Sequence, residues 1–248
     1  MIPWKEVTVR VSGPDAEAVR QLTATLGGRY SIELGVDVDR GPGEVERWFL
    51  AATLFGARIS ARVAMQSYRV LSRDGISTIA DVSGATWDRL VELLDEGGYA
   101  RYDFRTATRL RELERAVRER YVGRISNLGT ASTDPVQLET ALDGLPGWGP
   151  VTARLFLREL RGVWPNARPA VDSRGRWAAA HIALRADESA EGALAWLEET
   201  AWAARTDCRD AEAALVRLAL AHGGRRSPCP GGARCVVWAA ALEQAAGS

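Results

Sequence analysis

The sequence has few of the residues on which several classes of protein depend. Its 248 residues include three cysteines and two histidines, and no apolar run approaches the length of a transmembrane helix. Three cysteines argue against a disulfide framework, and no signal-peptide pattern opens the chain. We therefore expect a cytoplasmic protein that has no membrane partner.

Lysine is nearly absent, because Lys5 is the only lysine in the chain. Arginine stays protonated and cannot act as an amine nucleophile. Chemistry that needs an amine is therefore restricted to Lys5 or the N-terminal amine. The formal net charge is zero, which is less basic than many nucleic-acid-binding domains, but arginines cluster within residues 154–176 and at 225–226.

Most of the chain has the spacing of amphipathic helices, so a mainly α fold is predicted. Residues 1–43 are predicted to form a small α/β N-terminal extension, with strands at 6–11 and 30–38 around a helix at 14–26, and the break Gly41-Pro42-Gly43 follows. The helices predicted after this break cover residues 44–54, 59–72, 87–96, 103–121, 135–142, 151–160, 172–182, 188–204 and 207–221.

A glycine-rich hairpin at residues 145–150 joins two of these predicted helices. Asp134 and Pro135 are a favourable N-cap and first residue for the helix before it. Gly147 and Gly149 allow a tight turn and a close approach of a ligand to the backbone. The free amides at the start of the next helix suit a phosphate oxygen, so the backbone itself is predicted to bind phosphate.

This hairpin, Leu145-Pro146-Gly147-Trp148-Gly149 followed by Thr152 and Ala153, resembles the helix-hairpin-helix of the endonuclease III-like DNA glycosylases. Val171-Asp172-Ser173, about twenty residues later, matches the place of that superfamily's catalytic aspartate. The resemblance implies a two-lobed helical glycosylase core at residues 44–226, followed by a C-terminal tail at 227–248.

The resemblance also implies a function and a site. We expect a monomeric, nucleoid-associated DNA glycosylase of base excision repair that acts on double-stranded DNA carrying a damaged or modified base, with Asp172 as its catalytic carboxylate. The alternative roles are an ordinary helix N-cap for Asp172, a helix cap for Arg58, and a core position for Tyr99 and for Tyr102. The implied DNA-binding residues are Gly147, Trp148, Gly149, Val151, Thr152, Arg58, Arg174 and Arg176, with Tyr99 and Tyr102 in a base pocket.

Val151 stands where some members of this superfamily carry a lysine that forms a Schiff base and cuts the strand. The sequence therefore favours a monofunctional enzyme that leaves an abasic site. Two alternatives remain: a non-catalytic DNA-binding repair protein, and a bifunctional glycosylase and lyase that uses Lys5 or the N-terminal amine.

No cofactor is expected. Many relatives bind a [4Fe–4S] cluster through four cysteines near the C-terminus, and only Cys229 and Cys235 remain in that region. His181 and His222 are interpreted as core or capping residues. A zinc site formed by Cys208, His222, Cys229 and Cys235 is the alternative that the residue types allow, although the spacing is irregular.

Overall fold

The computed structural model describes residues 13–56, 59–184, 189–223 and 229–246, and this part of the chain is mainly helical, with no strand. None of its helices has both the length and the apolar character to cross a membrane. The α-helices are α1 Gly13–Leu26, α2 Tyr30–Glu33, α3 Pro42–Phe55, α4 Ala61–Arg73, α5 Trp87–Glu96, α6 Asp103–Tyr121, α7 Ser126–Ala131, α8 Pro135–Asp143, α9 Pro150–Glu159, α10 Ser173–His181, α11 Ala190–Ala204, α12 Cys208–Ala221 and α13 Val236–Ala246.

The sequence located most of these helices, and the bounds predicted for α5 and α6 are confirmed. The strand predicted at residues 30–38 is wrong, because this segment contains the helical turn α2 and begins a 3-10 turn at Val38–Arg40. The strand predicted at residues 6–11 lies outside the described residues. The helices α7 and α13 were not predicted.

The chain forms two compact units. Residues 30–169 form the central unit, and the terminal unit combines residues up to 29 with those from 170 onward. The segment 1–43, expected to be one extension, is therefore shared between the units: α1 belongs to the terminal unit, whereas α2 belongs to the central unit.

Aromatic rings fill the core of the central unit. Phe156 of α9 meets Phe49 and Trp164 edge to face, at centroid distances of 5.6 and 5.5 Å. Trp48 is fully buried and its indole N–H donates to the carbonyl oxygen of Phe156. These contacts hold α9, and hence the hairpin before it, against α3.

Two buried glutamates hold the starts of short helices in the central unit. The Glu159 carboxylate accepts hydrogen bonds from the amides of Tyr30 and Ser31, both at 3.0 Å, at the first turn of α2. Glu46 accepts from the amides of Ile125 and Ser126 at 3.1 and 2.9 Å, where α7 begins. Because the first amides of a helix have no partner within the helix, these carboxylates determine where α2 and α7 start. Burial raises the pKa of Glu159.

The terminal unit packs α1 against α11 and α12, and α10 against α12. Val19 and Leu22 of α1, Leu197 of α11 and Leu215 of α12 are buried in one apolar cluster. The two ends of the described chain therefore share a core, even though the whole central unit separates them in the sequence.

An ion-pair network joins Arg29 to the start of α12. The Arg29 side chain is buried and donates to Asp210 at 3.1 Å, and its backbone amide donates to the same carboxylate at 2.8 Å. Asp207, the N-cap of α12, accepts from the amide and the guanidinium of Arg209. Burial acts to raise the pKa of Asp207, but the hydrogen bonds from Arg209 outweigh it and lower that pKa below its ordinary value.

We expect the variant Asp207→Asn to be less stable than the wild type by about 1 to 2 kcal/mol near neutral pH, because a hydrogen-bonded charge is lost while asparagine still caps the helix. A carboxyl whose pKa is lowered by folding stabilises the fold above its unfolded-state pKa, and this contribution disappears as the pH falls through the folded-state pKa. The difference between the variant and the wild type should therefore shrink below about pH 4.

Urea-induced unfolding measured between pH 3 and pH 8 tests this expectation. The matched control is Asp95→Asn, since Asp95 is exposed on α5. An Asp207→Asn difference that stays constant over the whole pH range would show that the ionised carboxylate does not stabilise the terminal unit.

Candidate functional site

The glycine-rich hairpin lies between α8 and α9, which pack against each other. Asp134 caps α8, and its carboxylate accepts from the amide of Val136 at 2.9 Å. The amide of Trp148 donates to the carbonyl oxygen of Leu145 at 3.0 Å and closes the turn. Gly149 is the N-cap of α9, where Pro150 occupies the first position of the helix. The two helices predicted on either side of this turn are therefore present, as α8 and α9.

The fold requires glycine at one of the two hairpin positions but not at the other. Gly147 has a φ of +79°, and a Cβ at this position would lie 3.2 Å from Cδ of Arg109, so the fold itself requires glycine there. Gly149 has an extended φ of −158°, which any residue adopts, and a Cβ there would meet nothing closer than Asp143 Oδ1 at 3.9 Å. Packing within the central unit thus gives no reason for glycine at position 149.

The side chain of Trp148, which was predicted to contact DNA, is instead part of the core. Its ring stacks on Phe49 at a centroid distance of 4.6 Å, and its Nε1 donates to the hydroxyl oxygen of Thr53 at 3.1 Å. Only 8% of Trp148 is exposed. Its side chain therefore anchors the hairpin to α3.

The first turn of α9 contains one exposed residue and one buried residue. Val151 is 63% exposed, whereas Thr152 is buried. A Cβ on Gly56 would lie 2.6 Å from Oγ1 of Thr152, so the threonine packs closely against the end of α3. The Thr152 side chain is therefore part of the core, and contact of this residue with DNA stays a prediction.

Two arginines of α6 contact the hairpin region at positions that the motif did not indicate. Arg109 of α6 lies against Gly147, and Arg120 of the same helix donates to the carbonyl oxygen of Gly144 at 3.3 Å. Arg105, one turn before Arg109, is exposed, and Arg154 on α9, whose side chain is 53% exposed, pairs with Glu139 of α8 at 3.9 Å. Their spacing on α6 at 105 and 109 is a helical signal that sequence reasoning missed. These four residues are called the hairpin arginines below.

Two arginines that the sequence placed near the site do not reach solvent. Arg158 and Arg161 are 4% and 7% exposed, and Arg161 donates to the carbonyl oxygen of Pro169 at 2.7 Å. They contribute to the packing of the central unit rather than to its surface charge.

A small cleft lined by Tyr99 lies beside the hairpin. Its cavity measures about 20 Å³, which is room for about one water molecule. Tyr99 is 1% exposed and its hydroxyl donates to the carbonyl oxygen of Leu54, and burial raises its pKa. Tyr99 is therefore a core residue in this structure, as the alternative had it, and its role in a base pocket stays a prediction. Tyr102 is 36% exposed at the start of α6 and remains a candidate.

Asp172 is the N-cap of α10 in the terminal unit. Its Oδ1 accepts from the amide of Arg174 at 2.7 Å, and its own amide donates to Oε1 of the buried Glu212 at 2.9 Å. Asp172 is half-buried, whereas Arg174 is exposed and Arg176 is half-buried on the same helix. Asp172 is therefore a helix N-cap, as the alternative had it. Capping uses one of its two carboxylate oxygens, which accepts from the amide of Arg174.

Two residues important to the sequence interpretation, Lys5 and Arg58, lie outside the described residues. The roles proposed for them therefore stay predictions.

A second group of polar residues lies at the other end of α10. One donor atom from each of His181, His222, Cys229 and Cys235 lies within 4.8 Å of the others. The histidines were interpreted as core or capping residues, and Cys208, included in the predicted zinc alternative, is not part of this group. Hydrogen bonding from the Gly231 amide lowers the pKa of the Cys229 thiol to about 6, whereas burial raises the pKa of Cys235.

Comparison of the chain with protein-family models, with curated proteins and with solved structures gave no match.

Proposed function

We propose that this protein is a monofunctional DNA glycosylase, which hydrolyses the N-glycosidic bond of a modified base in double-stranded DNA and leaves an abasic site. The observation that carries this proposal is Gly149, a glycine at the start of α9 that packing does not require, beside the exposed Val151. A ligand that approaches the backbone closely would explain the glycine, and DNA phosphate matches the free amides of this helix start.

The hairpin arginines support a polyanionic ligand. Arg105 and Arg154 are exposed, with Arg154 3.9 Å from the Glu139 carboxylate, Arg109 lies against Gly147, and Arg120 donates to the carbonyl oxygen of Gly144 just before the hairpin. Guanidinium groups around a phosphate-binding turn would contribute sequence-independent affinity that weakens as salt is added. Contacts of this kind position a DNA strand but do not select a base.

Asp172 is the residue to which we assign the chemistry. In the proposed reaction the modified nucleotide leaves the base stack, and its sugar gains positive charge as the bond to the base lengthens. The Asp172 carboxylate stabilises that charge and orients the attacking water. Its Oδ1 is held by the Arg174 amide, and Glu212 fixes its backbone, so Oδ2 is the oxygen assigned to the sugar or the water.

Water completes the proposed reaction, because position 151 provides no nucleophile. The exposed Val151 side chain is aliphatic and cannot form a Schiff base with the deoxyribose. Strand cleavage by this enzyme is therefore not expected without added alkali.

A panel of duplexes tests the proposal, each carrying one alkylated, deaminated or oxidised base. We expect at least one duplex to be cleaved after hot alkali but not by the enzyme alone. Cleavage by the enzyme alone, with a covalent adduct trapped by borohydride, would instead support the alternative that uses Lys5 or the N-terminal amine. Binding of DNA without release of any base would support the non-catalytic alternative.

The contribution of the hairpin backbone is tested separately by the variant Gly149→Ala. We expect it to weaken DNA binding at least about tenfold, because a Cβ would stand where the phosphate approaches, a loss of about 1.4 kcal/mol. The free energy of unfolding should fall by no more than about 1 kcal/mol, the effect of losing a glycine N-cap. Fluorescence anisotropy with an undamaged duplex, at one fixed salt concentration, measures the affinity.

The matched control is Gly144→Ala in the same hairpin region. Gly144 has a φ of −76°, and a Cβ there would come no closer than 3.4 Å to another atom. We expect this variant to bind DNA as the wild type does. Equal affinities for all three proteins would show that no phosphate approaches residue 149.

A further inference from the structure

We propose that His181, His222, Cys229 and Cys235 bind one zinc ion in a structural site of the terminal unit. Three separate segments provide these residues: His181 ends α10, His222 follows α12, and the two cysteines flank the short loop before α13. Two thiolates and two imidazoles form one of the common ligand sets of structural zinc.

The distances suit a single ion. Four ligands on a tetrahedral zinc lie about 3.3 to 3.8 Å apart, given bonds of about 2.0 to 2.3 Å. Sγ of Cys235 and Nε2 of His222 are already 3.3 Å apart, and the whole group of donor atoms lies within 4.8 Å. Shifts of about 1 Å or less would therefore complete the site.

The surroundings of His222 prepare this residue to bind a metal ion. Its Nδ1 lies 2.7 Å from the carbonyl oxygen of Leu218, and a carbonyl can only accept a hydrogen bond. Nδ1 therefore carries the proton, and the lone pair of Nε2 faces Cys235. Metal-binding histidines commonly use their second nitrogen in this way, which fixes both the tautomer and the ring orientation.

Packing holds the His181 ring in the group. Trp177 stacks on this ring at a centroid distance of 4.8 Å and an angle of 10°, and His222 meets it edge to face at 4.7 Å. Nε2 of His181 is buried and has no hydrogen-bond partner among the described residues. Hydrogen bonding through Nε2 therefore does not account for the position of this imidazole in a polar cluster.

The loop between the two cysteines is shaped to lie against His181. Gly231 has a φ of +68°, and a Cβ there would lie 2.5 Å from the carbonyl oxygen of His181 and 3.4 Å from its Nδ1. Only glycine allows this approach. At the end of the loop, the Val236 amide donates to Sγ of Cys229 at 3.4 Å, a contact that supports a thiolate.

The ligand set distinguishes zinc from other groups. A [4Fe–4S] cluster needs about four thiolates, and this group has two, with Cys208 outside it. Two soft thiolates with two imidazoles in a tetrahedral arrangement favour zinc over magnesium or calcium, which take oxygen ligands. Because the protein provides all four ligands, the site is structural rather than catalytic.

The experiment measures metal in the purified full-length chain, after growth with added zinc and dialysis against a weak chelator. We expect about one zinc ion per chain in the wild type and at least a tenfold loss in Cys229→Ser and His222→Ala. The matched control is Cys208→Ser, which should keep its zinc because Cys208 is outside the cluster.

A second measurement covers the case in which a variant fails to fold. The zinc of the wild type is replaced with cobalt, and we expect the visible absorption of a tetrahedral site with thiolate charge transfer. Less than a tenth of a metal ion per chain in the wild type, an iron–sulfur chromophore, a Cys229–Cys235 disulfide, or zinc retained in both ligand variants would each overturn the proposal.

Discussion

Replacing Asp172 with asparagine is expected to reduce base release at least about 100-fold, the effect typical of removing a group that stabilises charge in the transition state. An amide cannot balance the positive charge of the sugar, and it cannot accept a proton from the attacking water. The amide oxygen of asparagine still accepts from the Arg174 backbone, and asparagine is as good an N-cap as aspartate. The fold and the affinity for DNA should therefore be retained.

Single-turnover release of the base, measured with enzyme in excess on the best duplex of the panel, gives the rate without a contribution from product release. The matched control is Asp37→Asn, since Asp37 is also an N-cap and accepts from the amide of Asp39 at 3.2 Å. We expect the control to react at the wild-type rate. Full activity of the Asp172→Asn variant would end the assignment of the chemistry to this carboxylate.

Trp148→Ala is expected to destabilise the central unit by about 3 to 5 kcal/mol, the range for removing a buried tryptophan. The variant loses the stacking on Phe49, the edge contact with Phe156 and the hydrogen bond to Thr53. Because these contacts attach the hairpin to α3, affinity for DNA should fall together with stability. Urea-induced unfolding and anisotropy with the same duplex measure the two effects.

Trp202→Ala provides the comparison for this effect, because Trp202 is 83% exposed on α11 and its removal should change stability by less than about 0.5 kcal/mol. Trp148→Phe separates the two parts of the contact, since it keeps an aromatic ring but removes the N–H donor to Thr53. A Trp148→Ala protein as stable as the wild type would show that the indole does not anchor the hairpin.

Local sequence signals were sufficient to find the hairpin and most of the helices, but not α2, α7 or α13. Asp134, Thr86 and Asp172 each accept a hydrogen bond from an amide two or three residues later, as their residue types indicate. The strand predicted at residues 30–38 was wrong because long-range contacts decide the structure there. Tyr30 and Ser31 donate their amides to Glu159, which is more than 120 residues away in the sequence.

The motif indicated which residues form the hairpin, but it contained no information about their burial. Trp148 and Thr152 lie in the matching positions, yet both side chains are packed in the core. The positions that do reach solvent, Val151 and the hairpin arginines, depend on how α6 and α9 pack, which a local pattern does not specify.

Local sequence patterns also did not specify which histidines and cysteines come together. Cys208 and His222 are separated by thirteen intervening residues along α12, and nothing in their spacing indicates that only His222 reaches the two cysteines. His181 joins the group because α10 packs against α12. Ligands that come from three segments are recognisable only after those segments have been assembled.

The discontinuous terminal unit also constrains how the chain folds during its synthesis. The ribosome completes α1 roughly 180 residues before it begins α12, an interval of roughly 10 to 40 s at ordinary rates of translation. During this time the apolar face of α1, which includes Val19 and Leu22, has no partner from α11 or α12, whereas the central unit has its own core and can form as soon as it emerges. We therefore expect nascent chains that stop before α11 to expose this face, and to be the species that chaperones bind.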